Sequence, residues 1–283
     1  MLAKRPDLTI VVPTYNERDQ IDILCERIFR ACELQRVAVE LVIVDDNSPD
    51  GTGDRADEWA RRSPVRVIHR AGKLGLGSAV LEGFAIAESD IVGVMDADLS
   101  HPPELVPTLL SAITSRNLDM IVASRYIRGG GTRSWSVVRL VLSRVACWLA
   151  RPLTPVRDAM SGFFLIRRDR LSGLCGPLRG FKIGLELLVR AEPRRIAEVG
   201  YVFVGRVAGK SKMSIAEGLR FLRQLAALYT ASFATSNARP SHHIVTVTST
   251  GAATGTPSRW KTRAGDPVTT EHEQASVLGR IRA

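Results

Sequence analysis

Long apolar runs are missing from this chain of 283 residues. No window reaches the roughly 18 uncharged apolar residues that a spanning helix needs, and the opening MLAKRPD holds no apolar signal-peptide core. The expectation is a chain that does not cross a membrane but can rest on one. Cysteine is scarce: Cys25, Cys32, Cys147 and Cys175 form no C-x-x-C pair and share no metal-ligand spacing with the five histidines. That argues against disulfides and structural zinc, and for a reducing cytoplasm. Aromatic residues, 6% of the chain, build no stacking platform among the basic ones, and no recognition-helix pattern appears, so nucleic acid is not the expected partner. Internal repeats are absent too, as are a Walker A loop and a Rossmann G-x-G-x-x-G after the first apolar run.

Positive charge, by contrast, is in excess. A net charge of +10 and a pI near 10 make an anionic partner plausible: a phosphorylated ligand, an acidic membrane surface or, on charge alone, nucleic acid. From Leu8 to about Ser124, short β-branched runs (LTIVV, VELVIVDD, VRVIH, DIVGVMD, DMIVAS) alternate with amphipathic stretches at Asp19 to Leu34, Thr52 to Arg62, Gly77 to Ala87 and Pro102 to Ser115. This alternation predicts an α/β fold with a largely parallel sheet covered by helices on both faces. Ligands of such sheets bind beyond the carboxyl ends of the strands, where PTYNE, DDNSPDG, HRAGKLGLG and DADLS fall.

The section from Ser134 to Phe233 is less regular and holds two amphipathic stretches, about 135–150 and 214–234. The first carries Val138, Leu142, Val145 and Leu149 with Arg139, Arg144 and Arg151; the second carries Ile215, Leu219, Leu222, Ala226, Tyr229 and Phe233 on one helical stripe. Each is read first as a helix packed on the core, and alternatively as an apolar surface with basic flanks resting on anionic lipid. Residues 1–235 form the expected domain. The stretch 236–283, rich in Ser, Thr, Gly, Ala and Pro, is expected to lack fixed structure, and HIVTVTST within it has strand character but no evident partner.

In VMDADLSHPPE the carboxylates Asp96 and Asp98 end an apolar run one residue apart. Alternate residues of a strand share a side, so two like charges are pressed together. Unless one takes up a proton, a divalent cation stabilises such a pair. Hard oxygen ligands suit Mg2+ or Mn2+, which bind one or two carboxylates together with phosphate oxygens. Taken alone, D-x-D also occurs on solvated strand ends. Asp45 and Asp46 end the second run and bring the count to four acids at one edge, more than folding requires. Ionised carboxylates accept from sugar hydroxyls and base edges, which assigns the DDNSPDG turn to nucleoside binding. GKLGLGSA, with Gly72, Gly75 and Gly77, reads equally as a plain turn and as a phosphate cradle.

Together VPTYNE, VDDNSPDGT, GKLGLGSA, MDADLSHPPE, ASRYIRGGG, AMSGFFLIRR, GFKIGLELL and GRVAGKSKMS, in this order from about Leu8 to Ser214, resemble the inverting family 2 glycosyltransferases of GT-A fold. Within them the likeness is to the dolichyl- or polyprenyl-phosphate mannose synthases. The resemblance implies a mannosyl transfer from GDP-mannose to a polyprenyl or dolichyl phosphate, with Mg2+ or Mn2+, at the cytoplasmic face of a membrane. It implies that Pro13, Tyr15, Glu17, Val44 and Asp46 hold guanosine and ribose, that Asp96 and Asp98 bind metal and diphosphate, and that Ala97 meets the nucleotide through its backbone. Arg125, Arg139, Lys182, Arg206 and Lys212 are implied to gather the phosphates of donor and acceptor, with Asp98, Arg125 and Arg139 closest to the chemistry.

A lipid monophosphate is already an anionic nucleophile at neutral pH, so the reaction asks for cations that hold two anions together rather than for a general base. His69 and His101 accordingly read as structural or loop residues. The chain departs from the family pattern in three places. Ser100 stands where the family has a metal-ligating Gln; a hydroxyl there either ligates the ion itself or, having the shorter reach, leaves that contact to water. Ala159 replaces Pro in D-P-M-S-G-F-F. Some relatives also end in membrane spans; here membrane access falls to the amphipathic helix or to a membrane-anchored partner. A UDP-sugar donor, and a non-catalytic scaffold that kept the fold, are the alternatives.

Overall fold

The computed structural model describes residues 5–133, 135–172, 174, 180, 182–205, 215–234 and 243–247. The apolar runs become strands β1 (Leu8–Thr14), β2 (Val39–Asp45), β3 (Val65–His69), β4 (Ile91–Val94) and β5 (Met120–Ser124). The stretches between them become helices α1 (Arg18–Leu34), α2 (Thr52–Ala60), α3 (Leu76–Ile86) and α4 (Val106–Ser115). β1 and β2 are apolar nearly throughout because both faces are covered. Leu8, Ile10 and Val12 join a core cluster with α1, α2 and α4, while Val11 points the other way into a cluster with α3.

The chain beyond β5 supplies β6 (Gly131–Thr132), α5 (Val137–Ala150), β7 (Phe164–Arg167), α6 (Ile183–Arg190), β8 (Arg195–Gly200), β9 (Val202–Phe203), α7 (Ile215–Ala234) and β10 (His243–Val247). Among the described residues eight strands form one sheet in the order β10-β8-β5-β7-β4-β1-β2-β3, with β6 and β9 paired beside it. Every neighbour pair of the main sheet is parallel except β7, which runs antiparallel between β4 and β5. The fold is thus the expected α/β arrangement, a mostly parallel sheet flanked by helices. Strand order reverses between β1 and β4, which opens a crevice at their carboxyl ends. Because β7 is inverted, Phe164 lies opposite Val94 and Val122, so Ser161–Phe163 enters the sheet at that same edge.

Three expectations for the chain beyond β5 change. First, it contains two core strands, β7 and β8, that its irregular patterning hides. Second, HIVTVTST has a partner: His243–Val247 pairs parallel with Arg195–Val199 as the edge strand. The rest of 236–283 lies outside the described residues. Third, the α7 residues that face inward are Phe221, Leu225 and Leu228, packed with Cys147, Ala150 and Met160, whereas Leu219 and Leu222 are exposed. Tyr229 of the expected stripe is half-buried and its hydroxyl donates to the Leu149 carbonyl at 2.6 Å.

The α5 helix departs furthest from a core-packed helix. Among its residues only Cys147 and Ala150 are buried. Val137, Val138 and Trp148 are 76%, 67% and 70% exposed, and Val141, Leu142 and Val145 line the same open side. Leu149 and Ala146 pack inward. A single exposed leucine means nothing, but six large apolar side chains along one helix face form a patch that water does not favour. Among the described residues no helix is long and apolar enough to cross a membrane.

Candidate active site

The chain after β4 makes the centre of the site. Met95 still donates to the Val11 carbonyl at 3.2 Å; then the backbone leaves the sheet, with Leu99 in the left-handed region at φ 58°. The Asp98 carboxylate accepts the Ser100 amide hydrogen at 3.0 Å, closing the turn. His101, 2% exposed, sits inside the loop: its Nδ1 accepts the Asp96 N–H at 3.2 Å, and its Nε2 lies 3.8 Å from Asp96 Oδ2. With Nδ1 accepting, a neutral ring carries its proton on the side facing the Asp96 carboxylate. Burial lowers the His101 pKa despite the pull of Asp96 and Asp98, so the ring is uncharged at neutral pH. Phe163 stacks on it at 5.2 Å, and Tyr201 and Phe203 meet it edge-on at 5.8 and 6.0 Å. The loop that presents Asp96 and Asp98 is therefore wrapped around a buried imidazole, which takes the structural one of the two roles expected of His101.

Ala97 is buried between the two carboxylates, and the Ser100 hydroxyl, also buried, has no hydrogen-bond partner among the described residues. An orphaned buried oxygen next to two carboxylates fits a hard cation better than it fits a folding role. No cluster of three or more His, Cys, Asp or Glu makes a ready metal cage among the described residues. Two carboxylates and a hydroxyl leave the remaining positions to water or a bound diphosphate, which is the usual manner of Mg2+.

At the β1–β2 side, the turn 45–51 is built from its own acids. Asp45, 2% exposed, accepts from the Ser48 amide at 2.9 Å, the Ser48 hydroxyl at 2.5 Å and the Thr14 hydroxyl at 3.1 Å. Asp50 accepts from Thr52 N at 3.0 Å and Thr52 Oγ1 at 2.6 Å. Asp45 is thus a folding residue, which corrects the view that these acids exceed what folding requires. Asp46 pairs with Arg70, a buried arginine that also donates to the Gly75 carbonyl at 3.2 Å and reaches Glu82 at 3.2 Å. Arg70 thereby ties the glycine-rich loop to the turn at 45–51; its place directly after β3, at the carboxyl edge, was the available signal. Gly75 takes φ 100°, a conformation that side-chain-bearing residues resist, and starts α3 there. Lys73 of this loop lies 3.3 Å over the Tyr15 ring. Pro13 is half-buried at the end of β1, Val44 is buried in β2, and Glu17 precedes α1 with its amide donating to Thr52 Oγ1 at 3.0 Å.

The cations come from the chain beyond β5. Arg125 follows β5 and is nearly buried; its Nε and Nη2 donate to Asp158 at 2.7 and 2.6 Å, and its backbone N–H to the same carboxylate at 2.8 Å. Asp158 is fully buried, and its own amide donates to Glu198 at 3.1 Å. Burial pushes the Glu198 carboxyl upward against the pull of the Arg157 and Asp158 amides and the Ser124 hydroxyl. The guanidinium of Arg139 lies 4.1 Å over the Trp135 ring, and Arg125 lies 5.0 Å from the same ring. Trp135 Nε1 is buried without a hydrogen-bond partner among the described residues. Lys182 is half-buried; desolvation and then the Arg125 charge lower its ammonium pKa, while Asp96 and Asp158 raise it. Its charge is therefore felt at the D-x-D loop. Arg206 and Lys212 lie outside the described residues. Cys25, Cys32 and Cys147 are buried, and burial pushes each thiol up to about 12, which removes them as nucleophiles.

A family model described as Glycosyl transferase family 2 matches residues 9–175. A dolichol-phosphate mannosyltransferase from Pyrococcus furiosus is 39% identical over 223 residues, covering 77% of this chain and 62% of the relative, so the chain spans less than two thirds of that protein. A dolichol-phosphate mannosyltransferase from Saccharomyces cerevisiae is 38% identical over 243 residues, covering 82% of this chain and 90% of the relative. Among solved structures, a mannosyltransferase from Pyrobaculum calidifontis in complex with GDP-Man and Mn2+ superposes with TM-score 0.57 at 20% identity, covering 82% of this chain and 65% of that one.

Proposed function

Because the chain belongs to glycosyl transferase family 2, we propose that it transfers mannose from GDP-mannose to a polyprenyl or dolichyl phosphate, with inversion, at the cytoplasmic face of a membrane. The observation that carries this reading is the meeting of opposite charges at one sheet edge. Asp96 stands within the field of the Lys182 ammonium, and Arg125, which packs with Arg139 on Trp135, acts on His101 inside the same loop. Pro13, Tyr15, Glu17, Val44 and Asp46, at or just beyond the carboxyl ends of β1 and β2, would take guanosine and ribose. Asp96, Asp98 and Ser100 would hold Mg2+ or Mn2+, with Ala97 offering its backbone to the nucleotide. Such an ion neutralises the donor diphosphate and the charge it gains on leaving.

The side chains then have to bring a second anion close. Lys182 and Arg139 receive the acceptor phosphate, aided by Arg206 and Lys212 on the segment beyond β9. One phosphate oxygen forms a bond to the anomeric carbon as the bond from that carbon to the diphosphate breaks, and GDP leaves. The nucleophile arrives ionised, so no side chain need take a proton, in keeping with the uncharged, enclosed His101. Arg125 is engaged on two of its nitrogens by Asp158 and acts by holding Trp135, and through it Arg139, in place.

With labelled GDP-mannose, Mg2+ or Mn2+ and vesicles containing polyprenyl phosphate, the purified chain is expected to form labelled lipid-linked mannose, and EDTA to stop it. Transfer from UDP-glucose alone would reassign the donor; transfer from neither would overturn the reading.

The exposed α5 face, flanked by Arg144 and Arg151, supports lipid as what covers it. Each large apolar side chain buried contributes about 1.5–3 kcal/mol, so Val138→Asp with Trp148→Glu should weaken binding to anionic vesicles at least about tenfold. Sedimentation with vesicles measures this, with the melting temperature as control. Vesicle binding unchanged by both substitutions would point instead to a membrane-anchored partner protein as the occupant.

A further inference from the structure

Gln224 lies on α7, outside the sequence motifs, and its amide is used at both ends. Its Oε1 accepts the Lys182 backbone N–H at 3.2 Å, and its Nε2 donates to the Lys182 carbonyl at 3.1 Å and to Glu186 Oε2 at 3.3 Å. A side-chain amide paired with both backbone groups of one residue acts as a neighbouring strand would, fixing that residue in place and direction. The arrangement is close-fitting: Gly180 donates its amide hydrogen to Glu186 Oε2 at 2.9 Å, and a Cβ at Gly180 would occupy the place of the Gln224 amide. Glu186, itself buried, is held in turn by Arg190 at 2.7 Å.

The same helix is seated by Phe221, Leu225 and Leu228 on the end of α5, while Leu219 and Leu222 on its other side are exposed. One helix therefore reaches from an apolar surface to the residue whose ammonium acts on the D-x-D loop. We infer that Gln224 is a positioning residue for Lys182, and that through it the seating of α7 against α5 sets the cationic half of the active site. The inference rests on the reading of Lys182 as a phosphate-binding cation. A lysine ammonium on a four-carbon stem has many rotamers, so an anion site built on one gains from a fixed backbone origin.

Gln224→Met keeps the length of the side chain and removes the hydrogen bonds. Hydrogen exchange at the Lys182 amide is expected to speed up, and kcat/KM for polyprenyl phosphate to fall about tenfold, while vesicle binding stays within about twofold. In a Lys182→Met background the same substitution should cost nothing further, since the group it positions is gone. An equal further loss there, or an activity loss matched by a fall in melting temperature, would assign Gln224 to general folding and overturn the inference. Should the Met variant unfold, Gln224→Glu, which keeps an acceptor for the Lys182 amide, is carried through the same cycle. Lys182→Met without loss would remove the phosphate-binding reading and the coupling with it; loss in Lys182→Met but none in Gln224→Met would remove the coupling alone.

Discussion

Asp98→Ala is expected to cut turnover by about 10³-fold or more while the protein stays folded. A bound divalent ion supplies several kcal/mol of charge stabilisation, and each 1.36 kcal/mol is a factor of ten in rate. Asp98 is nearly buried, so its carboxylate cannot be replaced by a surface neighbour, and Asp96 alone leaves a single anionic ligand. The substitution also removes the acceptor for the Ser100 amide, so a loosened loop would mimic a lost metal ligand. Asp98→Asn separates the two causes: the amide oxygen can still accept that N–H, but the negative charge is gone. Initial rates at saturating Mn2+ should place the Asn variant with the Ala variant; an Asn variant within about tenfold of wild type would remove the metal role from Asp98. Cells relying on Asp98→Ala that behave as wild type would favour the scaffold alternative.

The first half of the fold was legible because each of its elements carries a pattern of its own. LTIVV and VELVIV are strands buried on both faces, and the helices between them start and stop within a few residues of their apolar periodicity. What the pattern hid is non-local. Phe164–Arg167 is four residues long and ends in arginine, so nothing in it announces a central strand lying between β4 and β5. For α5 and α7 periodicity gives amphipathicity but not which side is covered: the stripe through Leu219 and Leu222 fits a packed or an open face equally, and in the fold those two are exposed while Phe221, Leu225 and Leu228 are packed.

In the site, Asp96 and Asp98 were visible because two acids one residue apart directly after an apolar strand ask for a counter-charge, although β4 ends at Val94 and both acids lie in the turn beyond it rather than on one side of a strand. Their support was not visible, since it depends on residues distant in sequence. His101 becomes a post for the loop only when Phe163, Tyr201 and Phe203 enclose it, and at the neighbouring turn Arg70 meets Asp46 from 24 residues away, with α2 and β3 between them. Asp45 shows both kinds of partner: Ser48 three residues on, and Thr14 on the neighbouring strand 31 residues away, together satisfy its carboxylate and make it part of the scaffold.

Asp158 is the residue whose loss should cost most in stability. Its carboxylate is fully buried and receives three hydrogen bonds from Arg125 alone. Asp158→Asn would turn an amide N–H toward one of those donors and leave the guanidinium buried without its counter-ion. Breaking one side of such a pair costs about 3–5 kcal/mol, which for a chain of this size lowers the melting temperature by roughly 6–20 °C. Because the penalty comes from the stranded charge, Arg125→Met combined with Asp158→Leu should recover much of the stability, as apolar replacements of buried pairs do. Activity should not return with it. The guanidinium of Arg125 packs on Trp135, which carries Arg139, so a stable double variant would still lack the fixed cation that the acceptor phosphate meets. Calorimetry and turnover on the single and double variants read the two effects apart: a single variant melting within about 2 °C of wild type would show the pair to be dispensable, and a double variant with full activity would show that Arg125 supports folding but not Arg139.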